Sequence, residues 1–412
     1  MDKIIFRKYN KEKDKNAVHR IWKEVGWLEK GKEKVMDLML KPANVLVAEI
    51  NREIEVLAKT VPGTIKYLDE ELKFSGVTAV TTSRIARKKG LASKLTARVI
   101  AESAEKGALV SGLGIFEQGF YDKLGYGSGC YEHIIYFDPA DLKANSDFRI
   151  PKRLTKKDWK VIYKSRISRK RFHGAINFGK PETTHAEMIW DDKNFGLGYF
   201  DGKNGELTHH IWFYVKDVEQ GPYWINWMCY QNSAQFLELL ALIRSLGDQV
   251  RLVSFIEPPN IQMQDFLKQP FRFRQLTEKS KFENKMKATA FWQMRICNLE
   301  KCLERTHLNC ENLKFNLELN DPIENYLEKD SKWKGIAGNY IITLGKKSKA
   351  EKGNNKKLPT LRSSVGAFTR MWLGVRPATG LAVSDEISGA EHLLEKLDKA
   401  FCIPEPKPDW EF

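Results

Sequence analysis

Two short stretches hold residue types that could do chemistry. Arg87-Lys88-Lys89-Gly90-Leu91-Ala92 sets three cations and two small residues at the opening of a helix. Gly90 and Ala92 let backbone N–H groups come close to an anion, and a helix N-terminus flanked by Arg87, Lys88 and Lys89 favours negative charge there. A pyrophosphate fits that description. Downstream, Phe120-Tyr121-Asp122-Lys123-Leu124-Gly125-Tyr126-Gly127 carries two tyrosines around glycine turns.

Elements that could position these groups follow from periodicity. Val77–Val80 is β-rich. Leu91, Leu95 and Val99 recur at helical spacing, Gly107 is placed to stop that helix, and Ala108–Leu113 reads as the next buried strand. Upstream, a strand over Lys3–Arg7 precedes a helical stretch with Val18, Ile21, Trp22 and Val25. A second helical stretch, Val35–Leu40, is stopped by Pro42. Asn44–Ile50, Ile54–Thr60 and Leu72–Val80 form a strand meander. The alternating run Ser128–Phe137 is expected to close this first domain, 1–145, before the basic linker Lys143–Lys157.

A second domain, 146–290, is expected to repeat the layout. It has strands at Asn194–Phe200, Leu207–Val215 and Tyr223–Tyr230, a helix capped by Ser233, and a strand at Val250–Ile256. Its turn, Gln231-Asn232-Ser233-Ala234, lacks the cationic glycine loop. A third domain, 291–412, has strand-like runs from Phe291–Ile296 onward and a lysine-rich stretch, Lys346–Lys357, read as an exposed loop. Helices are expected over Ser364–Leu373 and Ser388–Phe401. The proline-rich Cys402–Phe412 favours an extended form of ~3.1 Å per residue, which reaches about 30 Å over ten residues. Trp410 and Phe412 would gain by burial in a pocket, so an inserted tail is expected.

Composition narrows the function classes. A chain of 412 residues exceeds the ~250–300 at which single cores stop growing. No apolar run approaches the ~20 residues of a membrane span, and Met1–Phe6 lacks the layout of a secretory signal, so a cytoplasmic protein is expected. The six cysteines suggest no disulfide framework. Cys297, Cys302 and Cys310 near His307 lack metal-ligand pairing, so no metal is expected. The net charge of +15, with clusters at Lys152–Arg171 and Lys346–Lys357, comes without a zinc finger, helix-turn-helix or RRM-like aromatic motif. Nucleic acid is not the expected partner.

The pattern Arg-x-x-Gly-x-Ala after a strand resembles the acetyl-coenzyme A (acetyl-CoA) loop of the GNAT acetyltransferases, and Tyr121–Tyr126 resembles that family's Tyr-x-x-x-Gly-Tyr ending. The third domain, with the helix Gly366–Gly374 and Gly380 beyond it, resembles the sterol carrier protein fold. Together with the terminal Glu411-Phe412, the chain resembles the Eis (enhanced intracellular survival) N-acetyltransferases. This implies a mixed α+β fold: tandem GNAT domains, the second degenerate, then a sterol-carrier-like domain. The implied activity is acetyl transfer from acetyl-CoA to a primary amine of an aminoglycoside, polyamine or lysine-type acceptor.

Carried over from the family, Tyr121 is the general acid and the α-carboxylate of Phe412 the general base. That fits Leu72–Val80, which holds no carboxylate where many relatives have a catalytic glutamate. Tyr126, between glycines, reads as structural. Donor contacts map to Val80, Thr81 and Thr82, to Arg87, Lys88, Lys89, Gly90, Leu91, Ala92 and Ser93, and to Phe116 and Glu117. Phe116 departs from the family's small hydroxyl residue, and Arg84 from its proline. Trp27 and Glu411 are the candidates for the acceptor side, and a homohexamer is implied. A different class is a lipid carrier with a vestigial acetyltransferase domain. A third is an RNA-binding protein using the basic clusters.

Overall fold

The computed structural model describes residues 3–144 and 146–410. It divides into two compact units. The first comprises Met1–Cys130, His173–Gly179 and Ala290–Phe412; the second comprises Tyr131–Phe172 and Lys180–Thr289.

The first unit is built on an eight-stranded sheet. Strands β1 (Ile4–Lys8), β2 (Asn44–Ile50), β3 (Glu53–Tyr67), β4 (Glu70–Thr82) and β5 (Val110–Gly114) lie side by side in that order. Successive β2 residues face opposite ways, and the two faces take different helices. Val45 and Val47 pack with Val18, Ile21 and Trp22 of α1 (Lys11–Glu24) and Met36 of α2 (Glu33–Leu40). Leu46 and Ala48 pack with Leu91, Leu95 and Val99 of α3 (Leu91–Glu105). Trp22 is therefore core. Asn10 caps α1 by accepting from the amides of Glu12 and Lys13.

The parallel ladder of β4 with β5 runs from Phe74–Val110 to Val77–Leu113. Beyond it, Thr78–Thr82 stay paired with β3, through a register shift opposite Leu57–Lys59 and with Ala79 at φ +53°. The two strands thus part just where the cationic loop begins.

Two sequence expectations are corrected in this sheet. The run Ser128–Phe137 does not close it as one strand: only Gly127–Ser128 pairs there, while Glu132–Phe137 joins the second unit, where Ile135 and Phe137 complete an apolar core with Phe255 and Phe236. The vacated position is taken by Trp292–Ile296, expected in the third domain. That strand pairs antiparallel with β5 and Gly127–Ser128, and all five of its residues are buried.

The rest of the C-terminal segment forms a five-stranded sheet in the order Lys349–Lys352, Gly338–Leu344, Leu313–Asn320, Thr360–Ser364, Ile387–Ser388. Helices Val365–Trp372 and Glu391–Ala400 accompany it. The stretch Lys346–Lys357, expected as a loop, contains the edge strand Lys349–Lys352.

The second unit has a seven-stranded sheet in the order Lys285–Thr289, Glu132–Phe137, Val253–Ile256, Tyr223–Cys229, His209–Val215, Asn194–Tyr199, Lys152–Leu154. Tyr223–Cys229 and Val253–Ile256 run parallel and are joined through the helix Ser233–Arg244, as β4 and β5 are joined through α3. The layout is repeated. Asn232, not Ser233, caps that helix, accepting from the Gln235 amide. Lysines stand on sheet edges: Lys152 at one edge of this sheet, Lys285 and Lys287 at the other, and Lys349 and Lys352 at the edge of the five-stranded sheet. Charged edge strands resist pairing with another chain, which accounts for part of the basic excess without a nucleic acid. No helix among the described residues is long and apolar enough to cross a membrane.

Candidate active site

The site is assembled where β4 and β5 part. After β4, Arg84–Ala86 form a short turn, Lys88 adopts φ +61° and Gly90 φ +73°, and α3 starts at Leu91. Gly90 occupies the cap position without a side chain to fill it, so the amides of Leu91, Ala92 and Ser93 face outward with no intrahelical acceptor. A Cβ at Gly90 would meet no atom within 4 Å, so the backbone conformation, not crowding, requires glycine there. Open space lies in front of this helix N-terminus, flanked by exposed Arg87, Lys88 and Lys89, an arrangement whose field favours an anion. The neighbouring Arg84 ties the loop to α1: its amide donates to Glu24 Oε2 at 3.1 Å and its guanidinium to the Glu24 carbonyl at 3.2 Å.

Val80, Thr81 and Thr82 lie on the parted end of β4. The Thr81 hydroxyl donates to the Ala79 carbonyl and accepts from Trp22 Nε1, both at 3.2 Å. Its hydroxyl proton is thereby committed to β4 and one of its lone pairs to α1.

Tyr121 sits in the short helix α4 (Gln118–Asp122), with 8% of its surface exposed. Its ring is edge-on to Phe120 and Tyr126, and its hydroxyl has no hydrogen-bond partner among the described residues. Burial, with the charge of Glu117 adding to it, pushes its phenol up to about 12. Tyr126 differs: its hydroxyl is 2.7 Å from Ser111 Oγ inside the core, and burial raises it further still. One tyrosine is engaged and one is available.

Phe116 and Trp27, predicted for the donor and acceptor sides respectively, meet edge-to-face at 6.5 Å between ring centroids. Phe116 is nonetheless 83% exposed, an unusual cost for a large aromatic that nothing in the core requires. Glu117 follows it, exposed, at the start of α4.

The C-terminal tail reaches this unit's sheet. The Lys407 amide donates to the His173 carbonyl at 2.9 Å, and Asp409 Oδ1 accepts from the Ile176 amide at 3.2 Å. Trp410 is 2% exposed and stands edge-on to Phe178, at 5.6 Å. Ile176–Phe178 is itself a strand on β3, and Phe178 fills the space over Gly63 and Gly76. Residues 173–179, expected in the second domain, thus belong to the first unit and hold the tail. Their three-residue strand is too short to carry a periodic signal. Phe412 and Glu411 lie outside the described residues.

His173 anchors this segment as a neutral ring. Nδ1 accepts from the Leu68 amide and Nε2 donates to the Leu373 carbonyl, and burial pulls the imidazole down to about 4. The folded state therefore refuses a proton that the unfolded chain accepts near 6.5. Stability from this residue is full above that value and falls as pH drops toward 4, by about 3 kcal/mol in all. We expect His173→Gln, whose amide can make the same two bonds without titrating, to flatten the acid limb of a Tm-versus-pH curve. An unchanged limb would assign acid sensitivity elsewhere.

One other grouping has metal-ligating side chains. In the second unit, ligand atoms of Asp201, His209 and Glu238 lie within 4.8 Å of one another. Arg149 already bonds both carboxylates, at 2.7 and 2.8 Å, so a guanidinium supplies the positive charge there.

Comparison with known proteins gives this geometry a family context. Residues 6–129 match the acetyltransferase (GNAT) domain. The chain carries an acetyltransferase domain. GNAT domains use acetyl-CoA as acyl donor, and the matched residues include the cationic loop and the Tyr121 turn. Among solved structures, a probable N-acyltransferase from Enterococcus faecalis V583 superposes with TM-score 0.79 at 16% identity, covering 100% of both chains. A GCN5-related N-acetyltransferase from Anabaena variabilis does so with TM-score 0.78 at 14% identity, again over 100% of both. Eis1 from Mycobacterium abscessus gives TM-score 0.76 at 13% identity over 100% of both. At these identities the likeness is one of fold. No curated protein matches the sequence.

Proposed function

We propose that this chain is an N-acetyltransferase that moves acetyl from acetyl-CoA to a primary amine of an aminoglycoside, polyamine or lysine-type acceptor. The observation that carries the reading is the Tyr121 hydroxyl: unpartnered among the described residues and protonated to about pH 12, while Tyr126 beside it is engaged. Acyl transfer to an ammonium needs two proton movements, one off the nucleophile and one onto the departing thiolate. A phenol held protonated suits the second. The α3 amides with Arg87, Lys88, Lys89 and Gly90 would take the pyrophosphate, and the backbone of Val80–Thr82 the pantetheine arm.

The first proton movement needs a base. The α-carboxylate of Phe412 is our candidate, supported by a tail whose Trp410 is already seated on Phe178. Glu117 is the second reading, because it is a carboxylate whose charge acts on Tyr121. Glu117→Gln separates the two, since it lowers kcat steeply only if Glu117 is the base. Trp27 and Glu411 would contact the acceptor. A cytoplasmic homohexamer with a degenerate second GNAT domain and a sterol-carrier-like C-terminal region completes the reading.

The test is thiol release from acetyl-CoA with spermidine, an aminoglycoside and a lysine peptide as acceptors. Amine-dependent release supports the assignment. A folded protein that binds acetyl-CoA but acetylates none of them contradicts it and favours the carrier reading, in which the C-terminal region does the work.

A further inference from the structure

The chain turns sharply after Tyr121. The Tyr121 carbonyl accepts from the amides of Leu124 (2.9 Å) and Tyr126 (3.3 Å), so the phenol's own residue is the hub of the turn. The turn's outer carbonyl, on Leu124, accepts from Arg295 Nη1 at 2.5 Å. Arg295 stands on Trp292–Ile296, the strand that the C-terminal part of the chain inserts beside β5.

Arg295 and Asp321 form a two-pronged ion pair, at 3.1 and 2.5 Å, with both side chains 0% exposed. Asp321 is fixed in turn by the amides of Ile323 and Ile336. The Trp333 ring lies 5.2 Å from the guanidinium carbon. A fully buried ion pair is a poor source of stability, because desolvating both charges offsets most of their attraction and apolar residues of the same volume pack as well. Its geometry suggests another use. Gly125 has φ +78°, and a Cβ there would stand 2.9 Å from Arg295 Nη1, 3.1 Å from Asp321 Oδ1 and 2.5 Å from Val365 Cγ1. The glycine of the tyrosine motif is thus the residue that lets the backbone lie against this pair.

We propose that Arg295 and Asp321 are positioning residues for Tyr121, acting through the Leu124 carbonyl, so that the part of the chain after residue 290 sets where the phenol stands. This inference rests on the acetyltransferase reading for its kinetic consequence. It implies that the first 145 residues alone do not hold the tyrosine in place.

The experiment uses the full chain and the double variant Arg295→Met/Asp321→Leu, which replaces the pair by apolar volume, beside Arg295→Lys, which keeps the charge but not the two-pronged fork. Three quantities are read: acetyl-CoA Kd, kcat, and the fluorine spectrum of 3-fluorotyrosine at position 121. In the double variant Kd should stay within about threefold while kcat falls ~10-fold or more, the cost of a misplaced group. The fluorine resonance should shift and broaden, and Arg295→Lys should recover part of both. A folded double variant with wild-type kcat and fluorine resonance overturns the proposal, as does a loss of kcat matched by an equal loss of acetyl-CoA affinity. If the double variant does not fold, Arg295→Lys decides by the same readouts: wild-type values in all three overturn the proposal. If the wild type turns over no amine, the functional reading fails, and the fluorine spectra still decide the positioning.

Discussion

Tyr121→Phe lowers kcat by ~10²-fold or more and leaves acetyl-CoA affinity within about threefold, as expected when a group acting only in the chemical step is removed. The ring stays, so the packing against Phe120 and Tyr126 stays; only the hydroxyl goes, and it bonds nothing among the described residues. Tyr126→Phe gives the opposite outcome. It removes a buried bond to Ser111, whose hydroxyl keeps the Ser75 carbonyl at 3.1 Å, and costs about 1 kcal/mol of stability with little change in kcat. The contrast also has a pH signature. With its phenol near 12, Tyr121 stays a proton donor throughout the working range, so kcat should show no fall attributable to it up to pH 10. Steady-state kinetics of both variants check this. Equal kcat in Tyr121→Phe and wild type would remove the tyrosine from the mechanism.

Removing Glu411 and Phe412 lowers kcat by ~10²-fold or more if the terminal carboxylate is the base, with the donor site intact. Phe412→Ala, which keeps a carboxylate at the same point of the chain, retains far more activity than the truncation. Appending two glycines loses as much as the truncation does, because it moves the carboxylate onward. Trp410→Ala acts one step earlier. It empties the contact on Phe178, where burial is nearly complete, at a cost of ~3–5 kcal/mol, and it releases the tail from the sheet. Full turnover in the truncated chain would shift the base to Glu117, and Glu117→Gln would then show the loss instead.

The parts of this site that rest on local chemistry were legible in the sequence. Arg87–Ala92 announces a cationic glycine turn at a helix start, and Gly90 does adopt the left-handed conformation that only glycine takes easily. The strand, helix and strand around it follow from apolar spacing. What could not be read was long-range pairing. Glu132–Phe137 alternates as well as any strand of the first sheet, and nothing local says that it pairs with Val253–Ile256 instead. Trp292–Ile296 likewise gives no sign that it replaces that strand beside β5. The run Lys346–Lys357 looked like a loop because charge and glycine mimic disorder, yet lysines on an edge strand serve to keep that edge unpaired. Gly125 was visible as a turn glycine, but the buried pair that presses on it comes from residues 295 and 321.

The most direct measurement is calorimetric titration of acetyl-CoA into the wild type and into Gly90→Glu. The substituted side chain would project into the open space before α3, placing a negative charge where the pyrophosphate is to lie and straining a residue at φ +73°. Saturable binding to the wild type, abolished in a Gly90→Glu variant that keeps its fold by circular dichroism, is the result this account requires. Undiminished binding to that variant, or none to the folded wild type, would contradict it.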